Sequence, residues 1–331
     1  MSQAHPQTST SAESFAGRQV AIVPCPALGD VTLYIRLAWI FHSNGAQVTL
    51  YSSLAQSAQP HFPWMSIRAS EAVDLIALAA AFDLVISYVG WLSRSSAVDN
   101  AIASRNLAIV SAKKLPETLA LNLRSTEVCG QVYPDASRPF CLESRAGKNM
   151  AQWVDDYAQR AFGLSSDGQV AIKIARRRME APSVSIFPTT PEPRKNYSLR
   201  GFVWLGRLLQ RKGWDVDFLC LPAEKARIAA RVTSFPVRTF PTVGELMDHL
   251  ASRQAVISND SGGGHLASLI GLPTVTITRR NKAFVWRPGF DPRNEVIAPL
   301  FSVKIAGRYC WRPFVPVWRI PKVLERFEPR D

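Results

Sequence analysis

The chain has 331 residues, room for two domains of ordinary size. Its hydrophobic content of 47% suits a globular protein, and no run of 18 apolar residues occurs, which excludes a transmembrane helix. The formal net charge of +13 sits wholly in the second half: residues 1–165 hold 12 Lys and Arg against 12 Asp and Glu, and residues 166–331 hold 27 against 14. A basic half suits a phosphate-bearing partner such as a nucleotide, a nucleic acid or an anionic membrane, with a merely solvated basic surface as the plain alternative. Cys25, Cys129, Cys141, Cys220 and Cys310 are scattered and form no CxxC pair. That spacing indicates reduced thiols in a cytoplasmic protein rather than zinc ligands or a disulfide framework.

Residues 1–16 are polar and lack an apolar core, so a disordered leader is expected rather than a signal peptide. Gln19–Val23 reads as a first strand. Leu33, Leu37, Ile40 and Phe41 recur at helical spacing from about Thr32 to Ser43, and Gln47–Tyr51 is the next strand. This βαβ opening argues for a parallel sheet with right-handed crossovers. Gly29-Asp30 falls at the strand-to-helix turn, where Asp30 is either a helix cap or a carboxylate base facing a ligand. GxGxxG is absent there, which speaks against a standard dinucleotide fold. Strands are expected at Asp83–Tyr88 and Leu107–Val110 with a helix over Ser93–Ser104 between them, loops and short strands over 125–148, and a helix from Ala151 to near Gly163. A domain boundary falls around 165–182, where Arg176-Arg177-Arg178 reads as a solvated charge run.

The second half repeats the alternation. Ser183–Phe187 is a strand, Pro188–Tyr197 a proline-rich loop, Leu199–Lys212 a helix, Val216–Leu221 a strand, Pro222-Ala223-Glu224 the opening of a helix, and Val243–Ala251 another helix. Gln254–Ile257 is a buried strand that feeds Ser258-Asn259-Asp260-Ser261-Gly262-Gly263-Gly264-His265. A helix then runs from Leu266 to Gly271 and a strand from Pro273 to Ile277. Three glycines leave no side chains before a ligand, and backbone N–H groups at a helix start attract phosphate. A simple cap and tight turn is the other reading. The tail from 301 interleaves Lys304, Arg308, Arg312 and Arg319 with Phe301, Tyr309, Trp311, Phe314 and Trp318. Such a tail suits a membrane interface, nucleic acid, or packing across two domains with basic stems covering apolar surface.

Leu28-Gly29-Asp30-Val31 together with Asp260-Ser261-Gly262-Gly263-Gly264-His265 resembles glycosyltransferase family 9, the ADP-heptose:lipopolysaccharide heptosyltransferases, over residues 18 to about 290. The resemblance implies an α/β fold of GT-B type, two Rossmann-like doubly wound domains facing a central cleft. It places an acceptor-binding domain at 17–170, a nucleotide-sugar domain at 171–305 and a tail at 306–331. It implies that Asp30 is the base that deprotonates the acceptor hydroxyl and that Lys195 neutralises the donor phosphates. Glu224 would hold the ribose hydroxyls, and Thr189 and Thr190 would stand near phosphate. Asp260 with Ser261, Gly262, Gly263 and Gly264 would form the donor-binding loop, and His265 would hold that loop by hydrogen bonds.

The function so implied is inverting, metal-independent transfer of heptose or a related sugar from an ADP-sugar to a lipopolysaccharide-type glycan. No cofactor is expected, and no DxD metal motif is read in the chain. Peripheral contact with the cytoplasmic face of the inner membrane is expected through the tail or through Arg279-Arg280-Asn281-Lys282. Three departures bear on the sugar and the acceptor: Gly263 and Gly264 replace larger residues, Pro24 and Pro26 stand before Gly29, and Arg279-Arg280-Asn281-Lys282 forms a basic cluster just after the strand that follows the donor loop. Two other classes compete. One is a GT-B nucleotide-sugar epimerase or hydrolase, which would release nucleotide without an acceptor. The other is a basic nucleic-acid-binding protein, which no helix-turn-helix, zinc finger or RRM signature supports.

Overall fold

Val20 to Val23, Leu84 to Ile86 and Leu107 to Val110 are buried along their whole length. Runs covered on both faces are what a parallel sheet between helix layers requires. The computed structural model describes residues 15–94, 104–120, 123, 125–176, 181–280, 283–305 and 308–327. The expected leader up to residue 14, most of the expected Ser93–Ser104 helix, Arg177, Arg178, Asn281 and Lys282 lie outside the described residues. The chain divides into two units. One takes the described residues through Pro26, Leu33–Glu143 and Gln152–Ala171; the other takes Ala27–Thr32, Ser144–Ala151 and the chain from Ile172 onward.

In the first unit, β1 (Gln19–Val23), β2 (Gln47–Tyr51), β3 (Ser66–Arg68), β4 (Leu84–Tyr88) and β5 (Leu107–Val110) form one sheet in the order β3-β2-β1-β4-β5. Every pair in it is parallel. The order reverses between β1 and β4, so the chain leaves the carboxyl end of β1 at a switch point. Helix α1 (Leu28–Ser43) starts there, four residues before the expected Thr32. Asp30 is therefore inside the first turn and is not the cap. Helix α2 (Leu75–Ala81) was not expected; Asp74 caps it by accepting from the Ile76 N–H at 2.9 Å. A hairpin of β6 (Thr126–Val128) and β7 (Gln131–Tyr133) and helix α3 (Met150–Phe162) follow.

In the second unit the chain order is β8 (Ser183–Phe187), α4 (Leu199–Arg211), β9 (Asp215–Leu219), α5 (Lys225–Ala229), β10 (Val237–Arg238) and α6 (Val243–Leu250). Then come β11 (Ala255–Asn259), α7 (Gly262–Leu269), β12 (Thr274–Ile277) and β13 (Glu295–Ile297). The sheet order is β10-β9-β8-β11-β12-β13, again all parallel. The switch lies between β8 and β11, where the loops after the two strands diverge and leave a crevice. One buried carboxylate pins the far side of this sheet. Asp217 on β9 accepts from Ser185 Oγ at 2.6 Å, from His249 Nε2 and Arg253 Nη2 at 2.8 Å, and from Arg238 Nε at 3.1 Å. Burial alone would raise its pKa, but the His249 hydrogen bond, the Arg253 charge and the Ser185 hydroxyl hold it below the usual value.

After β13 come β14 (Val303–Ile305) and β15 (Arg308–Cys310), an antiparallel hairpin, and helix α8 (Ile320–Leu324). The tail is not free: Trp311, Val315, Val317, Ile320, Val323 and Leu324 join Phe202, Leu205 and Phe218 in the core of the second unit. This packing lies within one unit, whereas the expectation was of a tail across two domains.

Candidate active site

The site is built at the carboxyl ends of β8 and β11 and on the start of α1, all within the second unit. Its scaffold is Asn259. The strand expected to end at Ile257 runs on through Asn259, which is fully buried. Its amide accepts from the Tyr197 N–H at 2.8 Å and donates to the Pro188 carbonyl at 2.8 Å. Both ends of the proline-rich loop are thus tied to one side chain. Inside the loop Thr190 is held by Asn196, whose Oδ1 accepts from the Thr190 N–H and hydroxyl at 2.8 Å. Arg312 of the tail fixes the same turn from outside, donating to the Asn196 carbonyl at 2.6 Å and the Pro193 carbonyl at 3.1 Å. Asn196, Asn259 and Arg312 were not singled out from the sequence. An Asn three residues before the glycines is a readable signal, whereas nothing in sequence marks Arg312, 116 residues away from Asn196.

This loop presents Lys195, which is 30% exposed and stands 3.2 Å from Asp260 Oδ2 and 3.8 Å from Glu192. Ser261 follows Asp260 and caps α7, accepting from the Gly264 N–H at 3.4 Å. Gly262, Gly263 and Gly264 are accordingly the first turn of α7, not a loop. The sequence reading erred here because glycine is a poor helix former, while packing decides this position. A Cβ at Gly262 would lie 2.9 Å from Leu28 Cβ, one at Gly263 would lie 2.6 Å from the Phe187 ring, and one at Gly264 would strike Ser258 Oγ. The glycines let α7 sit directly on the end of β8, on β11 and on the first turn of α1. Its leading N–H groups have no partner within the helix, as at any helix start.

The start of α1 closes the cluster. A Cβ at Gly29 would be 3.4 Å from the His265 ring, so the first turns of α1 and α7 abut at Gly29 and Gly262. Asp30 is half-buried there. Burial raises its pKa from 3.8 to about 6, against the lowering pull of its own backbone hydrogen bond and of the Lys195 charge. His265 is buried, and burial lowers its pKa; the Asp260 carboxylate and the Trp286 backbone oppose that, and Lys195 adds to it. A neutral, wedged imidazole fits a holding role.

The structure therefore brings Asp30, Lys195, Asp260, Ser261, Gly262, Gly263, Gly264 and His265 together. Thr189 and Glu224 form a second group, with the Thr189 hydroxyl donating to Glu224 Oε2 at 2.8 Å and Arg227 donating to Oε1 at 2.8 Å. Thr190 turns away to Asn196. One DxD spacing does occur, contrary to the sequence reading: Asp215-Val216-Asp217. Both carboxylates are occupied by Arg253, at 2.6 Å and 2.8 Å, so they hold a side-chain cation. Among the described residues, no group of three or more His, Cys, Asp and Glu is placed to hold a metal.

Comparison with known proteins now has a geometry to meet. The model of glycosyltransferase family 9 (heptosyltransferase) matches residues 142–297. No curated protein sequence matches the chain. A family 9 glycosyltransferase from Veillonella parvula superposes with a TM-score of 0.70 at 15% identity, covering 96% of this chain and 99% of that one. The E. coli ADP-heptose lps heptosyltransferase II gives 0.65 at 14%, covering 93% and 98%. E. coli heptosyltransferase WaaC, solved with ADP, gives 0.64 at 15%, covering 94% and 100%.

Two parallel doubly wound sheets and these superpositions show the GT-B fold, the fold of the glycosyltransferases it resembles. Within that fold, residues 142–297, a little under half of the chain, are similar to glycosyltransferase family 9 (heptosyltransferase). Lys195, Glu224 and the α7 start lie inside the matched stretch, and Asp30 lies before it.

Proposed function

We propose that this protein is an inverting, metal-independent transferase that moves heptose, or a related sugar, from an ADP-sugar to a lipopolysaccharide core or similar glycan. The observation that carries this reading is the abutment of α1 and α7. It sets a carboxylate with a pKa near 6 beside a helix start and the Lys195–Asp260 pair. A hydroxyl is a weak nucleophile, so Asp30 takes its proton as the oxygen attacks the anomeric carbon. The bond from that carbon to the diphosphate breaks, and the electron pair leaves with the nucleotide. Lys195 and the N–H groups of Ser261, Gly262 and Gly263 meet the growing negative charge. Glu224, oriented by Thr189 and Arg227, accepts from the ribose hydroxyls. Asp260 holds Lys195 in place, and His265 supports the α7 start. An anionic, lipid-linked acceptor brings the protein to the cytoplasmic face of a membrane.

Thermal unfolding with ADP-, UDP-, GDP- and CDP-sugars tests the donor, because a ligand of the folded state raises the midpoint by mass action. A rise with ADP-heptose is expected; no rise with any of them refutes the donor site. Turnover that survives EDTA, with inversion read by NMR of the product, is expected. Nucleotide release without acceptor would instead indicate a hydrolase.

A further inference from the structure

Among the described residues ten large apolar side chains are exposed, and five of them, Leu300, Phe301, Val303, Tyr309 and Trp318, fall between positions 300 and 318. Scattered apolar residues on a surface need no explanation, but a concentration in one segment does. Val303 and Tyr309 stand in the β14–β15 hairpin, in which Lys304 pairs with Tyr309 and Val303 with Cys310, and Leu300 and Phe301 lead into it. Neighbours along a strand point to opposite faces. Val303 and Lys304 are nevertheless both exposed, so neither face is covered at these positions. A two-stranded hairpin left bare on both faces is marginal in water.

This one is held from beneath. The Phe301 and Phe314 rings stack at 4.0 Å, the Leu300 N–H donates to the Phe314 carbonyl at 3.0 Å, and Trp311, Val315 and Val317 are sunk in the core. The apolar surface is therefore presented on a fixed base. Residues 300–319 carry four cations, Lys304, Arg308, Arg312 and Arg319, and no Asp or Glu.

We propose that this hairpin, with Leu300 and Phe301 that lead into it, is a docking surface for an anionic lipid bilayer. Leu300, Phe301 and Tyr309 enter the interfacial layer, and Lys304 meets the lipid phosphates. The charge decides against a second copy of the chain, which would bring four cations against four. The aliphatic side chains decide against nucleic acid, since Leu300 and Val303 offer no π-face for a base. The inference rests on the membrane contact proposed above and is independent of sugar transfer.

The test is sedimentation of the full chain with vesicles of phosphatidylglycerol and phosphatidylcholine, and with phosphatidylcholine alone. Binding to the anionic vesicles is expected, weaker on the neutral ones. Phe301→Ser with Tyr309→Ser should abolish binding while the unfolding midpoint stays put. Should that pair disturb folding, Lys304→Ser, on an exposed side chain, should weaken binding about fivefold. Anionic binding that all the variants retain overturns the hairpin and leaves the membrane contact standing. No binding to either vesicle overturns both. Tight RNA binding or hairpin-dependent dimerisation in place of vesicle binding also overturns the proposal.

Discussion

Replacing Asp30 with Asn should remove turnover and stabilise the fold, and the two effects share one cause. The carboxyl titrates near 6 in place of 3.8, a gap of about 2 on the pH scale. At 1.36 kcal/mol for each pH unit that gap is worth about 3 kcal/mol at most, and partial exposure brings it to about 1–2 kcal/mol. The sign is fixed by linkage. Between about pH 4 and pH 6 the folded state holds this proton more tightly than the unfolded chain, so the penalty of ionised Asp30 is absent below pH 4 and complete above pH 6. The uncharged amide of D30N carries no such penalty. Differential scanning should place D30N about 2–6 °C above wild type at pH 7 and level with it at pH 4. In the wild type, kcat/KM should reach half its plateau near pH 6 and about a tenth of it at pH 5, with D30N down at least about 100-fold. An acid limb near pH 4, or a D30N midpoint at or below wild type at pH 7, would show that burial does not tune this group.

Three further outcomes follow from the packing. Gly263→Ala puts a methyl 2.6 Å from the Phe187 ring and should cost about 1–3 kcal/mol by overpacking, seen in urea denaturation, together with weaker donor binding. Arg312→Ala frees the Asn196 and Pro193 carbonyls and should raise the KM for donor severalfold with kcat little changed; an unaltered KM would show that the loop needs no outside brace. Asp217→Asn takes from buried Arg253 its buried partner, leaving it Asp215 alone, and should cost about 3–5 kcal/mol at pH 7 with donor affinity retained. Because the Asp217 pKa is depressed, that contribution is present above the ordinary carboxylate range and fades as pH falls through the lowered value, so the variant and wild type should converge in acid.

The parallel sheets were readable because most of their strands are buried on both faces and show as short, largely apolar runs rich in β-branched residues, such as Val20–Val23 and Leu107–Val110. The miss at β3 has the opposite cause: three residues with only Ile67 buried leave no pattern. Helix α2 was announced by its Asp74 cap but lay in a stretch left without assignment. The site was legible in its residue types and misread in its backbone. Gly262–Gly264 looked like a loop because propensity is local. The Phe187 ring, Ser258 and Leu28, which leave no room for a side chain there, come from two strands and another helix. Asp30 gave no sign of its raised pKa, since burial is a property of the assembled fold.

In the proposed reaction Lys195 and the α7 start receive the nucleotide diphosphate while Asp30 handles the acceptor proton. Calorimetric titration of ADP into wild type, Lys195→Met and D30N separates these roles most directly. ADP should bind wild type and D30N alike and bind Lys195→Met at least about tenfold more weakly, in keeping with the loss of one charged contact. Equal affinity for all three proteins, or affinity lost only in D30N, would contradict the assignment.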